Sequence, residues 1–228
     1  MNIALTGASG FIGAAVAKHA AEQGHSVTAL VRNTSKREHI EPFVSTFVVG
    51  SHDDPIAAAQ LLEDADVVIH NSFDWAAIKD GGTQVHLQSN LVGSINLLEA
   101  SNEKQFIYMS SIAVHHYMHD KWEGEIDGTH PTRPGSLYGG CKASVESHLW
   151  AANATRKQQV TAIRPCAVYG IDPNLKRSMG WPMIESIAAG KPFNKLGGGK
   201  FVHVDDVAAA TIAAIDNSNA SPQVPVMT

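Results

Sequence analysis

The sequence has few cysteines, no long apolar run and no basic leader. Its two cysteines, Cys141 and Cys166, lack the CxxC spacing that metal and redox sites use. No apolar stretch approaches the roughly 20 residues of a membrane-spanning helix. The N-terminus has neither the basic nor the apolar segment of a signal peptide. We therefore expect a cytoplasmic protein with free thiols, without a disulfide framework or a membrane partner.

The sequence also lacks an excess of positive charge. Its 228 residues include 17 lysines and arginines against 22 aspartates and glutamates, which gives a formal net charge of −5. No bulk positive field is available to attract nucleic acid, so we expect a small-molecule substrate instead. A hydrophobic content of 44% and a charged content of 17% are typical of one globular domain, or of one domain with a small appendage.

Short apolar runs alternate with longer helical patterns along most of the chain. Because these runs are apolar throughout, they predict strands that are buried on both faces of a parallel sheet. Alternation of strands and helices predicts a doubly wound α/β fold. The predicted strands are 3–5, 27–31, 43–49, 66–70, 106–109 and 160–163, and the predicted helices are 11–22, about 83–101 and 137–152. After Gly170 the alternation weakens, which predicts a small, partly irregular appendage.

A glycine-rich turn joins the first strand to the first helix. A phosphate needs main-chain N–H donors and a close approach without a Cβ atom, and a helix N-terminus supplies the matching dipole. We expect Gly7 to allow the tight turn, Gly10 the close approach and Gly13 the packing of helix on strand. The spacing is GxxGxxG instead of GxGxxG, and any tight turn of this kind can use glycines. In this position the turn predicts a dinucleotide site formed by Gly7, Ser9, Gly10, Phe11, Ile12 and Gly13.

The end of the second strand carries a cation where many NAD sites carry an acid. An acid at this position binds the ribose 2′-hydroxyl of NAD, whereas an arginine accommodates the 2′-phosphate of NADP. Here the segment is Leu30-Val31-Arg32-Asn33, and Arg32 can bind a phosphate through two parallel hydrogen bonds. The segment therefore predicts NADP in preference to NAD. The alternative is that Arg32 is a solvated charge at the end of a strand.

Three polar residues predict acid–base chemistry. The fifth strand ends in Ser110-Ser111, and Tyr138 and Lys142 stand four residues apart at the start of a helix, so they face the same way. A nearby ammonium favours the phenolate, and a serine hydroxyl can stabilise charge on the reacting oxygen. A second pair with this spacing, Tyr117 and Lys121, lies in a polar loop with no helical pattern behind it. We therefore expect Ser111, Tyr138 and Lys142 to be the catalytic residues.

The order of these motifs resembles a known family. The carriers of the resemblance are the turn TGASGFIG at 6–13, the serines at 110–111, the Tyr138/Lys142 pair, the segment RPCAVYG at 164–170 and the segment FVHVDDV at 201–207. Together they resemble the extended short-chain dehydrogenase/reductases, and within these the NAD(P)-dependent epimerase/dehydratase family, from Asn2 to about Ile215. The resemblance implies a Rossmann-type doubly wound sheet with a small C-terminal substrate-binding appendage.

The resemblance also implies roles for individual residues. Tyr138 would be the acid/base, Ser111 its partner hydroxyl, and Lys142 would bind the nicotinamide ribose and lower the pKa of the tyrosine. Pro165 would lie near the nicotinamide. The helices at 83–102 and 137–152 resemble those that pair in family dimers, so a homodimer is implied.

The chain departs from the family pattern at several positions. Ser51, followed by His52, stands where members often carry an acid towards the adenine; we expect both residues at the cofactor. Family members often carry an acid at the end of the second strand. This chain has Val31 at the matching position, which favours NADP. Ile112 and Ala113 replace the Asp-Glu pair of the sugar-nucleotide dehydratases, which argues against dehydration.

Histidines cluster in the segment 117–136 and just before it. His115, His116 and His119 follow Ser111, and His130 comes later. Their spacing matches no zinc motif, so we expect no metal. We expect 117–136 to be a lid beside the substrate, with His115 or His116 in contact with it. Asn90, in the helix at about 83–101, fits either a water-binding position in a proton relay or an ordinary polar position.

The sequence therefore predicts an NADP-dependent oxidoreductase that transfers a hydride between the nicotinamide and a carbonyl or alcohol. The first alternative is an epimerase of a nucleotide-linked sugar, and a different class is an NADP-sensing regulator or scaffold without turnover. We expect a dinucleotide-binding domain at 1–170, with 200–217 packing back onto it. Residues 171–228 would form a substrate-binding region that is either minimal or truncated.

Overall fold

The computed structural model describes residues 1–116, 126–128, 130–191 and 199–220, and the backbone of 226–227. Its strands are β1 Asn2–Thr6, β2 Ser26–Val31, β3 Thr46–Val49, β4 Val67–His70, β5 Gln105–Met109, β6 Val160–Pro165, β7 Ala167–Tyr169, β8 Phe201–His203 and β9 Val226–Met227. The main sheet is parallel, with strand order β3-β2-β1-β4-β5-β6-β9. Strands β7 and β8 form a separate parallel pair. The predicted doubly wound parallel sheet is confirmed.

The helices lie between the strands. They are α1 Phe11–Glu22, α2 Pro55–Leu62, α3 Trp75–Lys79, α4 Gly82–His86, α5 Gly93–Ala100, α6 Leu137–Arg156, α7 Trp181–Ala188 and α8 Val204–Ala213. A π-helical segment, Leu87–Val92, joins α4 to α5, so the predicted helix at about 83–101 is present with a local widening. Within the described ranges, no helix has both the length and the apolar character needed to cross a membrane.

Two element boundaries differ from the prediction by more than two residues. Strand β3 begins at Thr46 instead of Phe43, because Phe43 ends a short 3-10 helix, Glu41–Phe43, with a proline inside its first turn. Helix α6 continues four residues past Ala152, to Arg156, and ends at Lys157 in a left-handed conformation.

The core lies on both faces of the sheet. On one face, strand residues such as Leu5 and Ile69 pack with Val16 of α1 and Val207 of α8. On the other face, residues such as Val68 and Phe106 pack with apolar positions of α2, α5 and α6. Because successive residues of a strand point to opposite faces, runs that are apolar throughout bury both faces. Helix α8 shares this first core with α1 and the strands, whereas the division of the chain into domains stays a prediction.

The strand order reverses between β1 and β4. In open α/β sheets, ligands bind at the carboxyl ends of the strands beside such a switch point. Residues after β1, β2, β4, β5 and β6 meet at this edge, which positions the site described next.

Candidate active site

A cavity of about 1160 Å³ lies at the carboxyl edge of the sheet. The structure brings most of the predicted site residues together there. Those that line the cavity are Gly7, Ser9, Gly10, Phe11, Ile12, Arg32, Ser51, His52, Ser111, Tyr138, Lys142 and Pro165. Gly13 lies outside this lining. The cations Lys36, which follows β2, and Lys176 and Arg177, which follow β7, also line the cavity, together with the acids Glu38 and Asp172.

The glycine turn has no room for side chains at two positions. Gly7 has a φ of +71°, and a Cβ atom there would lie 2.9 Å from the main chain of Asn71. A Cβ atom on Gly13 would lie 2.1 Å from the main-chain oxygen of Gly7. Gly13 thus allows the first turn of α1 to touch the end of β1, which is a packing role and explains its place outside the lining.

The N-terminus of α1 is open towards a ligand. Gly10 is its N-cap and offers no side-chain hydrogen bond, and no acid lies in the first turn. The first N–H groups of a helix have no partner within it, and the helix dipole favours an anion there. Nearby, the buried hydroxyl of Ser72 has no hydrogen-bond partner among the described residues. These donors and the surrounding cations fit the phosphates of a dinucleotide cofactor.

Arg32 has an acidic neighbour that the sequence did not reveal. Its guanidinium lies 3.5 Å from the carboxylate of Asp74, which follows β4. Asp74 also caps α3 by accepting hydrogen bonds from the N–H groups of Ala76 and Ala77. The pair therefore holds the guanidinium at the edge of the cavity while half of the Arg32 side chain stays exposed.

His52 and its neighbour His70 stay neutral because they are buried. Burial lowers the pKa of His52, whose Nε2 lies 2.9 Å from the main-chain oxygen of Ser89. Burial lowers the pKa of His70 well below its usual range. His70 Nδ1 lies 2.8 Å from the hydroxyl of Thr6, which also accepts hydrogen bonds from the N–H groups of Asn71 and Ser72. Thr6 therefore donates to His70 and ties the end of β4 to the end of β1.

Tyr138 and Ser111 meet because α6 comes very close to the segment after β5. Ser136 caps α6 by accepting a hydrogen bond from Gly139 N–H, and a Cβ atom on Gly139 would lie 2.4 Å from the main-chain oxygen of Ala113. Ser111 accepts a hydrogen bond from Ala113 N–H at 3.2 Å, which leaves its own proton free to donate. The side chain of Ser111 lies close enough to Tyr138 to lower the pKa of the tyrosine hydroxyl.

The pKa of Tyr138 is set by burial and not by Lys142. Burial raises its pKa above the usual value of 10, and the side chain of Ser111 opposes this rise only in part. Lys142 Nζ lies 5.9 Å from the centre of the Tyr138 ring, while it donates a hydrogen bond to the main-chain oxygen of Met109 at 2.6 Å. Burial lowers the pKa of Lys142 to about 8. The expected lowering of the tyrosine pKa by this lysine is therefore not seen.

The structure does not bring His115 to the cavity. Its ring is buried, and Nε2 accepts a hydrogen bond from Arg164 at 2.8 Å, while Nδ1 lies 3.3 Å from the main-chain oxygen of Pro131. Burial and the guanidinium of Arg164 lower its pKa. The expected substrate contact is thus wrong for His115, because both ring nitrogens are engaged inside the protein. His116 is exposed and outside the lining, so its role stays a prediction.

A buried ion pair between α6 and β6 binds the residue that follows β5. The guanidinium of Arg164 binds the carboxylate of Glu146, with Nε 3.0 Å from Oε1, and Ser110 donates a hydrogen bond to the same oxygen. Glu146 lies four residues after Lys142, on the same face of α6. Sequence reasoning missed Glu146, although an acid in register with Tyr138 and Lys142 was a usable signal.

Two aromatic residues that the sequence did not single out lie against Tyr138. The Trp75 ring stacks on the Tyr138 ring, with centroids 4.9 Å apart and planes 25° from parallel. The Phe73 ring meets Tyr138 edge-on at 5.0 Å. Both line the cavity. The usable signal was their position directly after β4, at the edge where ligands bind.

Asn90 has a structural role in place of a water-binding one. Its side-chain oxygen accepts a hydrogen bond from Asp74 N–H at 2.6 Å, and its amide nitrogen lies 3.0 Å from both Asp74 O and His86 Nδ1. These contacts engage both polar atoms of a buried side chain that does not line the cavity, which favours the ordinary polar position over the proton relay. Asn90 instead fixes the segment that carries Phe73 and Trp75.

The rest of the predicted histidine segment is described only in part. Tyr117, His119 and Lys121 lie outside the described residues. His130 Nδ1 lies 3.0 Å from the carboxylate of Asp127. Among residues that the structure describes, no group of three or more histidines, cysteines or acids is arranged to hold a metal ion.

Comparison with known proteins identifies the relatives of this chain. A sequence profile described as the NAD dependent epimerase/dehydratase family matches residues 3–227. The chain is 28% identical over 175 residues to 2-alkyl-3-oxoalkanoate reductase of Stenotrophomonas maltophilia. The aligned residues cover 75% of this chain and 52% of that protein. The match spans about half the length of the first two curated relatives.

Solved structures show the same fold. UDP-glucose 4-epimerase of Thermotoga maritima, solved with UDP-glucose, has a TM-score of 0.82 and 25% identity, with coverage of 100% of this chain and 76% of the epimerase. The enzyme WbmH of Bordetella bronchiseptica, solved with NAD+, has a TM-score of 0.77 and 26% identity, with coverage of 95% and 72%. These similarities confirm the resemblance found in the sequence and the predicted fold.

Proposed function

The chain belongs to the NAD dependent epimerase/dehydratase family, and we propose that it is an NADP-dependent oxidoreductase that interconverts a carbonyl compound and an alcohol. One observation carries this proposal. Ser111, Tyr138 and Lys142 line the same cavity as the glycine turn, so acid–base groups and a phosphate site share one space. A bound nicotinamide dinucleotide would supply or accept the hydride.

The residues of the chain supply the proton and hold the reacting oxygen. Because burial raises the pKa of Tyr138, its hydroxyl is protonated at neutral pH and can donate that proton to a carbonyl oxygen as the carbon receives a hydride. Ser111 can donate a hydrogen bond to the same oxygen and stabilise its developing charge. In the alcohol product the new hydrogens are the hydride on carbon and the Tyr138 proton on oxygen; solvent then reprotonates the tyrosine.

The preference for NADP rests on the wall that carries Arg32. Arg32 and Lys36 line the cavity after β2, and no acid stands at the end of that strand. Two cations favour a 2′-phosphate, whereas a 2′-hydroxyl gains most from a carboxylate acceptor. The carboxylate of Asp74 pairs with Arg32 and also caps α3. It is therefore already engaged and is not a free acceptor for a ribose 2′-hydroxyl.

The second candidate is a nucleotide-sugar epimerase, which the similarity to the Thermotoga maritima epimerase favours. In that reaction the hydride leaves the substrate and returns, so no net oxidation occurs. Against it stands the aromatic wall beside Tyr138, which offers few hydrogen-bonding groups to a sugar.

The proposal is tested with purified protein and two assays, a panel of ketones and aldehydes with NADPH or NADH, and UDP-glucose with NAD+ or NADP+, with Tyr138→Phe as the matched variant. We expect NADPH oxidation with a carbonyl compound, a loss of about 100-fold or more in kcat for Tyr138→Phe, and unchanged NADPH binding by that variant. Isomerisation of UDP-glucose with NAD+ or NADP+ and without net reduction of the cofactor would select the epimerase. NADPH binding without turnover of any panel member would select the regulator.

Two further expectations remain proposals. Pairing of two copies through 83–102 and 137–152 is supported by the exposed apolar residues Val85, Val92 and Trp150 on these helices. A monomer mass in light scattering would refute the homodimer. A cytoplasmic location is supported by the free, buried thiols Cys141 and Cys166.

A further inference from the structure

The catalytic end of the cavity and the cofactor end differ in chemistry. The rings of Phe73 and Trp75 contact Tyr138 and line the cavity beside the polar side chains of Ser111 and Lys142. The apolar lining also includes Pro165, Cys166 and Val168. The lining cations Arg32, Lys36, Lys176 and Arg177 are contributed by the segments after β2 and after β7. A substrate oxygen at the Tyr138 hydroxyl therefore has apolar surface around its carbon skeleton.

Trp75 is exposed to solvent although its ring stacks on Tyr138. The residue is 52% exposed. An exposed indole beside a catalytic hydroxyl leaves a large apolar surface in contact with water until a ligand covers it. Phe73, at 4.8 Å from Trp75, extends the same surface towards Lys142, whose Nζ lies 5.3 Å from the Phe73 ring centre.

The aromatic surface is held in place before any ligand arrives. Asp74, between the two rings, caps α3 through its side chain, and its main-chain N–H and C=O groups are both bound by Asn90. Arg32 approaches the Asp74 carboxylate from the other side. Groups that are fixed in advance lose little conformational entropy on binding, which is a property of binding surfaces.

We propose that Phe73 and Trp75 form a substrate-binding platform that selects carbonyl compounds bearing an aromatic ring next to the carbonyl group. A flat ring packs against an exposed indole by offset stacking or edge-to-face contact, while its carbonyl oxygen reaches Tyr138 and Ser111. This inference rests on the proposed function, because it assigns the substrate class of that same site.

The test compares an aryl ketone with a small aliphatic ketone on the same enzyme. Acetophenone and 2-butanone are assayed with NADPH for the wild type, Trp75→Ala, Trp75→Phe and Trp150→Ala. Trp150 is a matched control because it is 36% exposed on α6 and does not line the cavity. We expect Trp75→Ala to lower kcat/KM for acetophenone about 10-fold, mainly through KM, and for 2-butanone by less than about twofold.

The other variants separate binding from folding. Trp75→Phe keeps an aromatic face, so we expect it to retain most of the preference, and Trp150→Ala should leave the ratio of the two kcat/KM values unchanged. An equal loss for both ketones in Trp75→Ala would show that Trp75 only positions Tyr138, and would overturn the platform. A wild type that prefers 2-butanone would overturn it as well.

A binding measurement keeps the platform testable if no ketone is reduced. Calorimetric titration of acetophenone into the protein loaded with NADP+ is carried out on Tyr138→Phe and on Tyr138→Phe combined with Trp75→Ala. Binding that weakens about 10-fold with Trp75→Ala supports the platform even if turnover, and with it the proposed function, fails. Equal binding by the two variants, or none by the first, overturns the platform while leaving the hydride-transfer proposal to the turnover assay.

Discussion

Lys142 Nζ lies 2.6 Å from the main-chain oxygen of Met109, the last residue of β5, and 4.5 Å from the centre of the Tyr108 ring. The lysine is thus anchored to the strand that delivers Ser111 and not to Tyr138. Among the residues that the structure describes, no acid is in direct contact with its buried ammonium, and burial lowers the pKa of this lysine to about 8. A buried cation of this kind costs folding stability, and an anionic or hydroxyl-rich ligand can recover that cost on binding.

Lys142→Met should stabilise the unliganded protein at pH 7, while it weakens cofactor binding. Below pH 8 the lysine is charged in the folded and the unfolded chain, so the folded state bears the full cost of burying the charge. Between about 8 and 10.5 the folded protein releases the proton and the unfolded chain keeps it, so wild-type stability rises with pH. We expect a gain on the order of 2 kcal/mol at pH 7, after the lost hydrogen bond is counted.

That gain should shrink as the pH rises, which denaturant unfolding at pH 7 and pH 9.5 can measure. Lys79→Met, at the exposed last turn of α3, is the control and should show no such pH dependence. A Lys142→Met protein that is less stable than the wild type at pH 7 would contradict the buried-charge account.

Arg32→Ala should weaken the binding of NADPH and spare that of NADH. A charge-assisted hydrogen bond to a phosphate contributes about 1.5–3 kcal/mol, so we expect the Kd of NADPH to rise roughly 10- to 100-fold and that of NADH to change less than about twofold. Quenching of tryptophan fluorescence measures both constants. Lys18→Ala, on the solvent side of α1, is the control cation. Equal losses for both cofactors would show that Arg32 supports the fold or the Asp74 segment and does not read the 2′-phosphate.

The parts of the molecule that could be predicted from the sequence are those with a local cause. The glycine turn and the pair Tyr138/Lys142 depend on spacing along one strand–turn–helix or one helix, and the buried strands depend on apolar runs. These patterns predicted the fold correctly, and most of the residues they singled out as site residues lie along one cavity.

The parts that were missed depend on contacts between distant segments. The stacking of Trp75 on Tyr138 joins the segment after β4 to the start of α6, and the engagement of His115 by Arg164 joins the segment after β5 to β6. A single sequence shows that His115 follows Ser111, but not that an arginine 49 positions later takes its ring nitrogen. The same limit explains why Asn90 fitted two roles equally well.

Glu146→Gln should destabilise the protein strongly. Glu146 is buried and neutralises the buried Arg164, and it also accepts a hydrogen bond from Ser110. Removing one charge of a buried pair leaves the other uncompensated, which costs about 3–5 kcal/mol. We expect the Tm to fall by roughly 10 °C in scanning calorimetry.

Glu185→Gln, at an exposed position of α7, is the control and should change stability by less than about 0.5 kcal/mol. Equal Tm values for the two variants would refute a supporting role of the pair.

Gly139→Ala should lower kcat, whereas Gly140→Ala, at the adjacent residue, should raise stability and leave kcat unchanged. A Cβ atom on Gly139 would lie 2.4 Å from the main-chain oxygen of Ala113, whereas a Cβ atom on Gly140 would meet nothing within 4 Å. Gly139→Ala must push the start of α6 away from the segment after β5 and so separate Tyr138 from Ser111. Because a misplacement of about 1 Å can lower turnover about 100-fold, we expect a loss of that size in kcat with NADPH binding retained. Gly140→Ala should raise stability by about 0.5–1 kcal/mol through helix propensity, with kcat unchanged. If Gly139→Ala kept wild-type kcat, the contact between α6 and Ala113 would not be what positions Tyr138 against Ser111.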